Sequence, residues 1–290
     1  MTARPAHVHQ LSLVLVVLTM VGCATVTRPP EYARRARRMT TIAARHHEAG
    51  EIDKALLFYE RALAIHRGTD SRSDTAQCLQ NIAVAYVDSG KLDEAVAAAT
   101  EALFIAREIG DAERQVELVG IIGNTWYARG NLDQAEEHYW EALRMAEAVE
   151  YQPEIANQHN NLGLVLKRRG DFDGAILHYT IASRTYEQLG DTRGHAACVN
   201  NMGALLEAQS DFQGAVAKYN QALALDKEAG NVPGIAVCLH NLGSVYLKLG
   251  EHEKAAGYFQ RASHVNRWMG RNEAAAQDQR EVEKAGTLAK

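Results

Sequence analysis

Small and apolar residues recur along this chain at helical spacing, and the whole pattern returns every forty residues. Asn161, Leu162 and Gly163 are followed by Gly170, Ala175, Tyr179 and Ala182. Forty residues on stand Asn201, Met202 and Gly203, with Ala215, Tyr219 and Ala222; forty further on stand Asn241, Leu242 and Gly243, with Gly250, Ala255, Phe259 and Ala262. Gly123, Gly130, Ala135, Tyr139 and Ala142 keep the same offsets, as do Asn81, Tyr86, Gly90, Ala95 and Ala102. A worn copy stands at Ala43, Gly50, Ala55, Tyr59 and Ala62. A fixed period in this range signals a solenoid, in which each unit buries its apolar face only against its neighbours.

Each unit holds two stretches of helical periodicity separated by a Gly-containing turn, which predicts a helical hairpin. First helices are predicted to begin near residues 35, 73, 113, 153, 193 and 233, and second helices after Gly50, Gly90, Gly130, Gly170, Ser210 and Gly250. Pro153 and Pro233 suit helix starts; Gly110, Gly190, Gly230 and Gly270 suit helix stops. Small residues at 43, 83, 123, 163, 203 and 243 let the second helix come close, and Ala at 55, 95, 135, 175, 215 and 255 receives it. Glycine inside a helix costs roughly 1 kcal/mol against alanine, so four glycines at one repeat position imply close packing that offsets the loss. Residues 271–290, polar with scattered Ala, suit a final helix capping the last apolar face.

This arrangement of small residue, glycine turn, alanine and aromatic resembles the tetratricopeptide repeat. The forty-residue length and the Asn-Leu-Gly step are most similar to the repeats of kinesin light chains and LGN/Pins adaptors. The resemblance implies an all-α, right-handed solenoid of about six hairpins over residues 35–270, with the first helix of each pair lining a concave side. It implies protein or peptide partners and no cofactor.

Charge sharpens the picture. Residues 1–38 carry six Arg and one Glu, which leaves a net charge of −10 on residues 39–290. Such an acidic solenoid is a poor partner for phosphate backbones, so no nucleic acid is expected. At the N-terminus, Leu11 to Val21 is an apolar run too short to span a bilayer, and residues 1–22 read as a signal peptide. The end of the run, Thr19-Met20-Val21-Gly22-Cys23, resembles a bacterial lipobox, with Met20 where Leu is usual. That implies lipidation at Cys23, a tether over residues 23–34, and attachment to a membrane through acyl chains such as palmitate. Ala24 after the cysteine points, by resemblance to sorting in enteric bacteria, to an outer-membrane lipoprotein facing the periplasm. Arg34, Arg35, Arg37 and Arg38 lie either within reach of anionic headgroups, each worth on the order of 1 kcal/mol there, or on a solvated helix face.

Asn81, Asn161, Asn201 and Asn241 share one repeat position, with Asn160 and Asn200 just before two of them. Asparagine is a weak helix former, and its amide offers both donor and acceptor to the backbone of an extended peptide. The row is expected either to hold such a peptide or to bond across neighbouring helices and stiffen the stack. It is interrupted by Ile121 and Thr41, so the groove is expected to be best formed over repeats four to six. Asn124, Asn157, Lys167, Arg168, His240 and Lys248 follow from the same register as further groove candidates, Arg168 and Lys248 at one repeat position. Arg168 and Lys248 suit acidic side chains or a C-terminus, and equally suit the last turn of a helix, where cations are favoured. The Lys-x-x-x-Asn and Lys-x-x-x-Arg pairs of carboxylate clamps have no counterpart. Cys78, Cys198 and Cys238 share a position too far apart for a disulfide and are expected as buried thiols.

No catalytic or metal motif stands out: there is no HExxH, no Gly-rich phosphate loop and no Gly-x-Ser-x-Gly. His138 and His178, one repeat apart, are expected at the surface. The reading is a non-enzymatic scaffold or assembly factor. Its alternatives are a pilotin-like outer-membrane lipoprotein for pilus or secretin assembly, and a ligand sensor or enzyme with a hidden pocket.

Overall fold

The computed structural model describes residues 30–289; Cys23 and the predicted signal peptide lie outside them. The described residues form thirteen α-helices, six antiparallel pairs followed by a single helix. The first helices of the pairs are α1 (Glu31–Glu48), α3 (Arg72–Asp88), α5 (Ala112–Ala128), α7 (Gln152–Arg169), α9 (Thr192–Ala208) and α11 (Val232–Lys248). The second helices are α2 (Ile52–Gly68), α4 (Leu92–Glu108), α6 (Leu132–Ala148), α8 (Phe172–Leu189), α10 (Phe212–Glu228) and α12 (His252–Trp268), and α13 (Asn272–Leu288) closes the array. Only α1 departs from the predicted starts, beginning one turn early after Pro30, whose fixed φ suits a helix N-terminus.

The turns explain the regularity. A left-handed residue occurs every twenty positions, at Gly50, Gly90, Gly110, Gly130, Gly170, Gly190, Gly230, Gly250 and Gly270, and at Asp70, Glu150 and Ser210. Glycine enters that region without the steric penalty of a Cβ, which is why it dominates the set. The next residue opens the following helix, and where it is Asp111, Asn131, Asp171, Asp191, Asp211 or Asn231 its side chain accepts a hydrogen bond from a first-turn amide.

Between the helices of a pair, the packing is set by a missing side chain. A Cβ at Gly123, Gly163, Gly203 or Gly243 would meet the ring of Tyr139, Tyr179, Tyr219 or Phe259 at 2.7, 2.6, 2.8 and 2.8 Å, respectively. All four rings are buried, so they cannot swing aside. In the second repeat the equivalent positions hold Ala83 and Ala99, and in the first Ala43 and Tyr59, all four buried.

Curvature follows from which helices touch. From α3 to α11 each first helix touches the next first helix, whereas the second helices do not meet one another in this way. First helices therefore line the inner side of the arc. The arc is long enough for its ends to approach: Arg271 Nη2 donates to the Glu48 carbonyl at 3.3 Å, across 223 residues of chain.

Two substitutions separate packing from polarity. Gly163→Ala is expected to destabilise the protein by about 1–3 kcal/mol, because overpacking against Tyr179 outweighs the better helix propensity. Tyr179→Phe is expected to be neutral or stabilising, since the Tyr179 hydroxyl is buried with no hydrogen-bond partner among the described residues. Urea denaturation of both variants checks this pair of opposite signs.

Candidate peptide-binding groove

The asparagine row lies on the inner helices, and hollows run beside it. Asn81, Asn161, Asn201 and Asn241 each line a separate one. The row is also internally bonded. Asn201 Nδ2 donates to Asn160 Oδ1 at 2.8 Å, and Asn241 Nδ2 donates to Asn200 Oδ1 at 3.0 Å, so each amide reaches back one repeat. In the fourth repeat the equivalent acceptor position is Gly120, which has no side chain. Asn161 Nδ2 turns instead to Asn124 Oδ1 at 3.3 Å, which also accepts from the Tyr139 hydroxyl at 2.9 Å. The expected interruption at Ile121 is thus bridged one turn along, and the row extends into the third repeat. Asn81 Oδ1 accepts from Gln77 Nε2 at 3.4 Å within its own helix.

These bonds occupy one amide hydrogen of each donor. Among the described residues, the carbonyl oxygens of Asn161, Asn201 and Asn241 accept no hydrogen bond, and all three residues are half-buried. The row both stiffens the stack and keeps hydrogen-bonding capacity toward the groove.

The cations and the histidine of the register are less available than their spacing implies. Lys248 Nζ pairs with Glu207 Oε1 at 2.8 Å, one repeat back. Arg168 donates to the Tyr127 carbonyl at 3.3 Å and lies over the Tyr127 ring at 5.2 Å, where it satisfies the C-terminal end of α5. Both therefore bind the preceding repeat and are not free cations awaiting an acidic ligand. His240 Nδ1 contacts Asp278 Oδ1 at 2.7 Å, and the other Asp278 oxygen accepts from Asn266 Nδ2 at 2.8 Å, which fastens α13 to the last hairpin. Asn157 donates to Glu154 and accepts from the Tyr186 hydroxyl. Lys167 is half-buried, and burial lowers its pKa against the opposing pull of Glu207.

The cysteines are free and buried, and burial pushes the thiols of Cys78 and Cys198 up to about 12. Thiols so reluctant to ionise are weak nucleophiles. Cys238 shifts the same way, with the buried carboxylate of Asp226 3.4 Å from its Sγ adding to the burial.

Three features escape the repeat pattern. Asp226 and Asp278 are buried at 3% and 2% exposure, each paired with the asparagine amides of Asn231 and Asn266. A hollow of 530 Å³ opens between α3, α5 and α7, lined by Glu117 and Glu154 among others. And His178 is half-buried, not at the surface: its Nδ1 lies 2.9 Å from His159 Nδ1, and Trp140 meets it edge-on at 5.8 Å. His138 is half-buried as well, its Nδ1 without a hydrogen bond. Asp226 stands where other repeats carry Ala106, Ala146 and Tyr186, and Asp278 where they carry Cys78, Cys198 and Cys238, departures visible in the sequence; the histidine contact joins different helix registers and has no such signal. Among the described residues no group of three or more His, Cys, Asp or Glu is placed to hold a metal ion.

Stacked helical pairs with an amide-lined inner face define a class, the helical-repeat scaffold for protein–protein interaction. The tetratricopeptide repeat profile matches residues 35–108, 118–191 and 195–267, and the chain belongs to that family, whose fold is generally non-catalytic. Similar solved structures include BtubC (BKLC) from P. vanneervenii, 22% identical over 83% of this chain and 93% of that one, with a TM-score of 0.56. A Rap protein complexed with competence and sporulation factor is 16% identical over 88% of this chain and 76% of its own, with a TM-score of 0.65. A putative kinesin light chain from Podospora anserina with nearly identical repeats is 16% identical over 70% of this chain and 100% of its own, with a TM-score of 0.51. At these identities the likeness is one of fold. No curated protein matches the sequence.

The histidine contact predicts an acid sensitivity. Burial, helped by His178, holds the His159 imidazole down at about 4 from an ordinary 6.5, so the unfolded chain takes up this proton first as pH falls. The contribution is complete above about pH 6.5 and is lost progressively as pH falls toward 4. In His159→Gln, the drop in melting temperature between about pH 7 and pH 5 is expected to be smaller than in the parent protein.

Proposed function

We propose that this chain is a non-enzymatic scaffold or assembly factor of the bacterial envelope, tethered by lipid at Cys23, and that its inner groove holds an extended protein segment. The observation that carries this reading is the row Asn161, Asn201, Asn241: prefixed by their inter-repeat bonds, these amides keep a carbonyl and a second hydrogen for a visiting backbone. Preorganised side chains of this kind lose little entropy on binding. Backbone pairing is indifferent to the sequence of the segment, so affinity comes from the row and selectivity from the hollows between. The complex of the Rap neighbour with its factor supports a solenoid of this curvature as a container. Tethering rests on the lipobox resemblance, with the exposed Arg34, Arg35, Arg37 and Arg38 on α1 next to the proposed anchor.

A photocrosslinker at Ala197, exposed on α9 beside Asn200 and Asn201, is expected to give discrete adducts in native membranes. Those adducts should disappear when Asn161, Asn201 and Asn241 are all changed to Ala, while helical circular dichroism at the assay temperature is unchanged. Each change removes one hydrogen bond, a stability cost of roughly 0.5–1.5 kcal/mol. Adducts that persist in the triple variant remove the groove reading. Separately, Cys23→Ser is expected to move the protein from the membrane pellet to the soluble fraction; a variant that still pellets argues against the lipid.

A further inference from the structure

The 530 Å³ hollow between α3, α5 and α7 is lined mostly by polar side chains, two of them carboxylates. Glu117 and Glu154 face it from successive inner helices. Every donor they meet is neutral: the Tyr151 hydroxyl at 2.7 Å and Gln80 Nε2 at 2.7 Å on Glu117, Gln158 Nε2 at 2.6 Å and the Asn157 amide on Glu154. No Lys, Arg or His among the described residues forms an ion pair with either. Arg114 on α5 spends its guanidinium on Asp111, Gln77 and Gln80. Burial raises the pKa of Glu154 and Glu117 pushes it further the same way. Two carboxylates thus share a partly dry hollow without a counter-charge, an arrangement that a positively charged visitor relieves.

A second, independent feature points to the same ligand. Gln158 is 1% exposed, and its Oε1 is buried with no donor. Because a carboxylate only accepts, Gln158 turns its nitrogen to Glu154, and this leaves its carbonyl as an acceptor without a donor beside the two acids. An unmatched buried acceptor is costly, so its retention calls for a donor. Gly120 leaves the space that Gln158 occupies: a Cβ there would lie 2.7 Å from Gln158 Nε2, whereas the same register elsewhere carries Gln80, Asn160, Asn200 and His240.

Three acceptor groups around one opening match a group that is all donor and positively charged, the guanidinium of arginine or the ammonium of lysine. We infer that this hollow receives a basic side chain of the segment held in the groove, with Glu117, Glu154 and Gln158 as its partners. This rests on the groove reading and adds selectivity to it. The hollow is larger than one head group needs and admits the whole side chain with adjoining backbone. The net charge of −10 on residues 39–290 favours the approach of a basic segment.

Selection of phage-displayed random peptides on the full chain in detergent tests the inference. The expected result is a Lys or Arg enriched at one fixed position. A synthetic peptide of the selected sequence should lose about tenfold in affinity when its arginine is replaced by the neutral isostere citrulline. The Glu117→Gln/Glu154→Gln variant should bind the two peptides alike. Equal binding of the arginine and citrulline peptides to the parent protein overturns the inference, whether or not the double variant folds. Selected peptides without a basic residue overturn it and leave the groove reading standing; failure to select any peptide overturns both. Calorimetric titration with spermidine supplies the remaining arm: tight binding abolished by the double variant, without basic preference among peptides, assigns the hollow to a small amine and overturns the peptide version.

Discussion

Everything in this molecule depends on how closely two helices of a hairpin can lie. Where Gly163 faces Tyr179 there is no space for even a methyl group, and the same contact recurs at Gly123, Gly203 and Gly243. The aromatic ring, packed against bare backbone, fixes the separation within the pair. With that separation fixed, the first helices come near enough for side chains of successive repeats to meet across the stack. Dispersion and apolar burial supply the energy, and the missing Cβ supplies the geometry.

The inner face divides into two regions of different chemistry on one scaffold. Over the second to fourth repeats it carries Gln77, Gln80, Glu117, Glu154 and Asn157; over the fifth and sixth the matching positions are Ala197 and Val237, Asn200 and His240, and Gly194 and Gly234. The amides at the shared position run through both. Glu117 and Glu154 thus lie toward one end of the face, and small and apolar residues accumulate toward the other, in an order fixed by the chain.

The architecture was legible in the sequence because each hairpin repeats the same local rules. Glycine at φ > 0 in the turns, proline at helix starts and small residues opposite aromatics agree with one period, and the helices fall where that period puts them. That the asparagines fall on the inner helices was also legible, since position in the repeat determines it. The partners of those residues were not. Asn161 bonds Asn124 because residue 120 lacks a side chain, a substitution in one repeat that changes a bond in the next. Lys248 and Arg168 have the spacing of ligand-binding cations, yet each is consumed by the repeat behind it. The meeting of His159 with His178 depends on the angle between two helices, which a periodic pattern does not encode.

A stack held together only by adjacent contacts can fray from either terminus without the other registering it. The bond from Arg271 to the Glu48 carbonyl changes that topology, because it joins the opening hairpin to the closing one. The array behaves as a spring with a clasp: stretching or tightening the coil has to break or strain a link between its two extremities. Loosening the start of the last helix therefore removes a contact of the first, next to the stretch that leads back to the proposed lipid anchor.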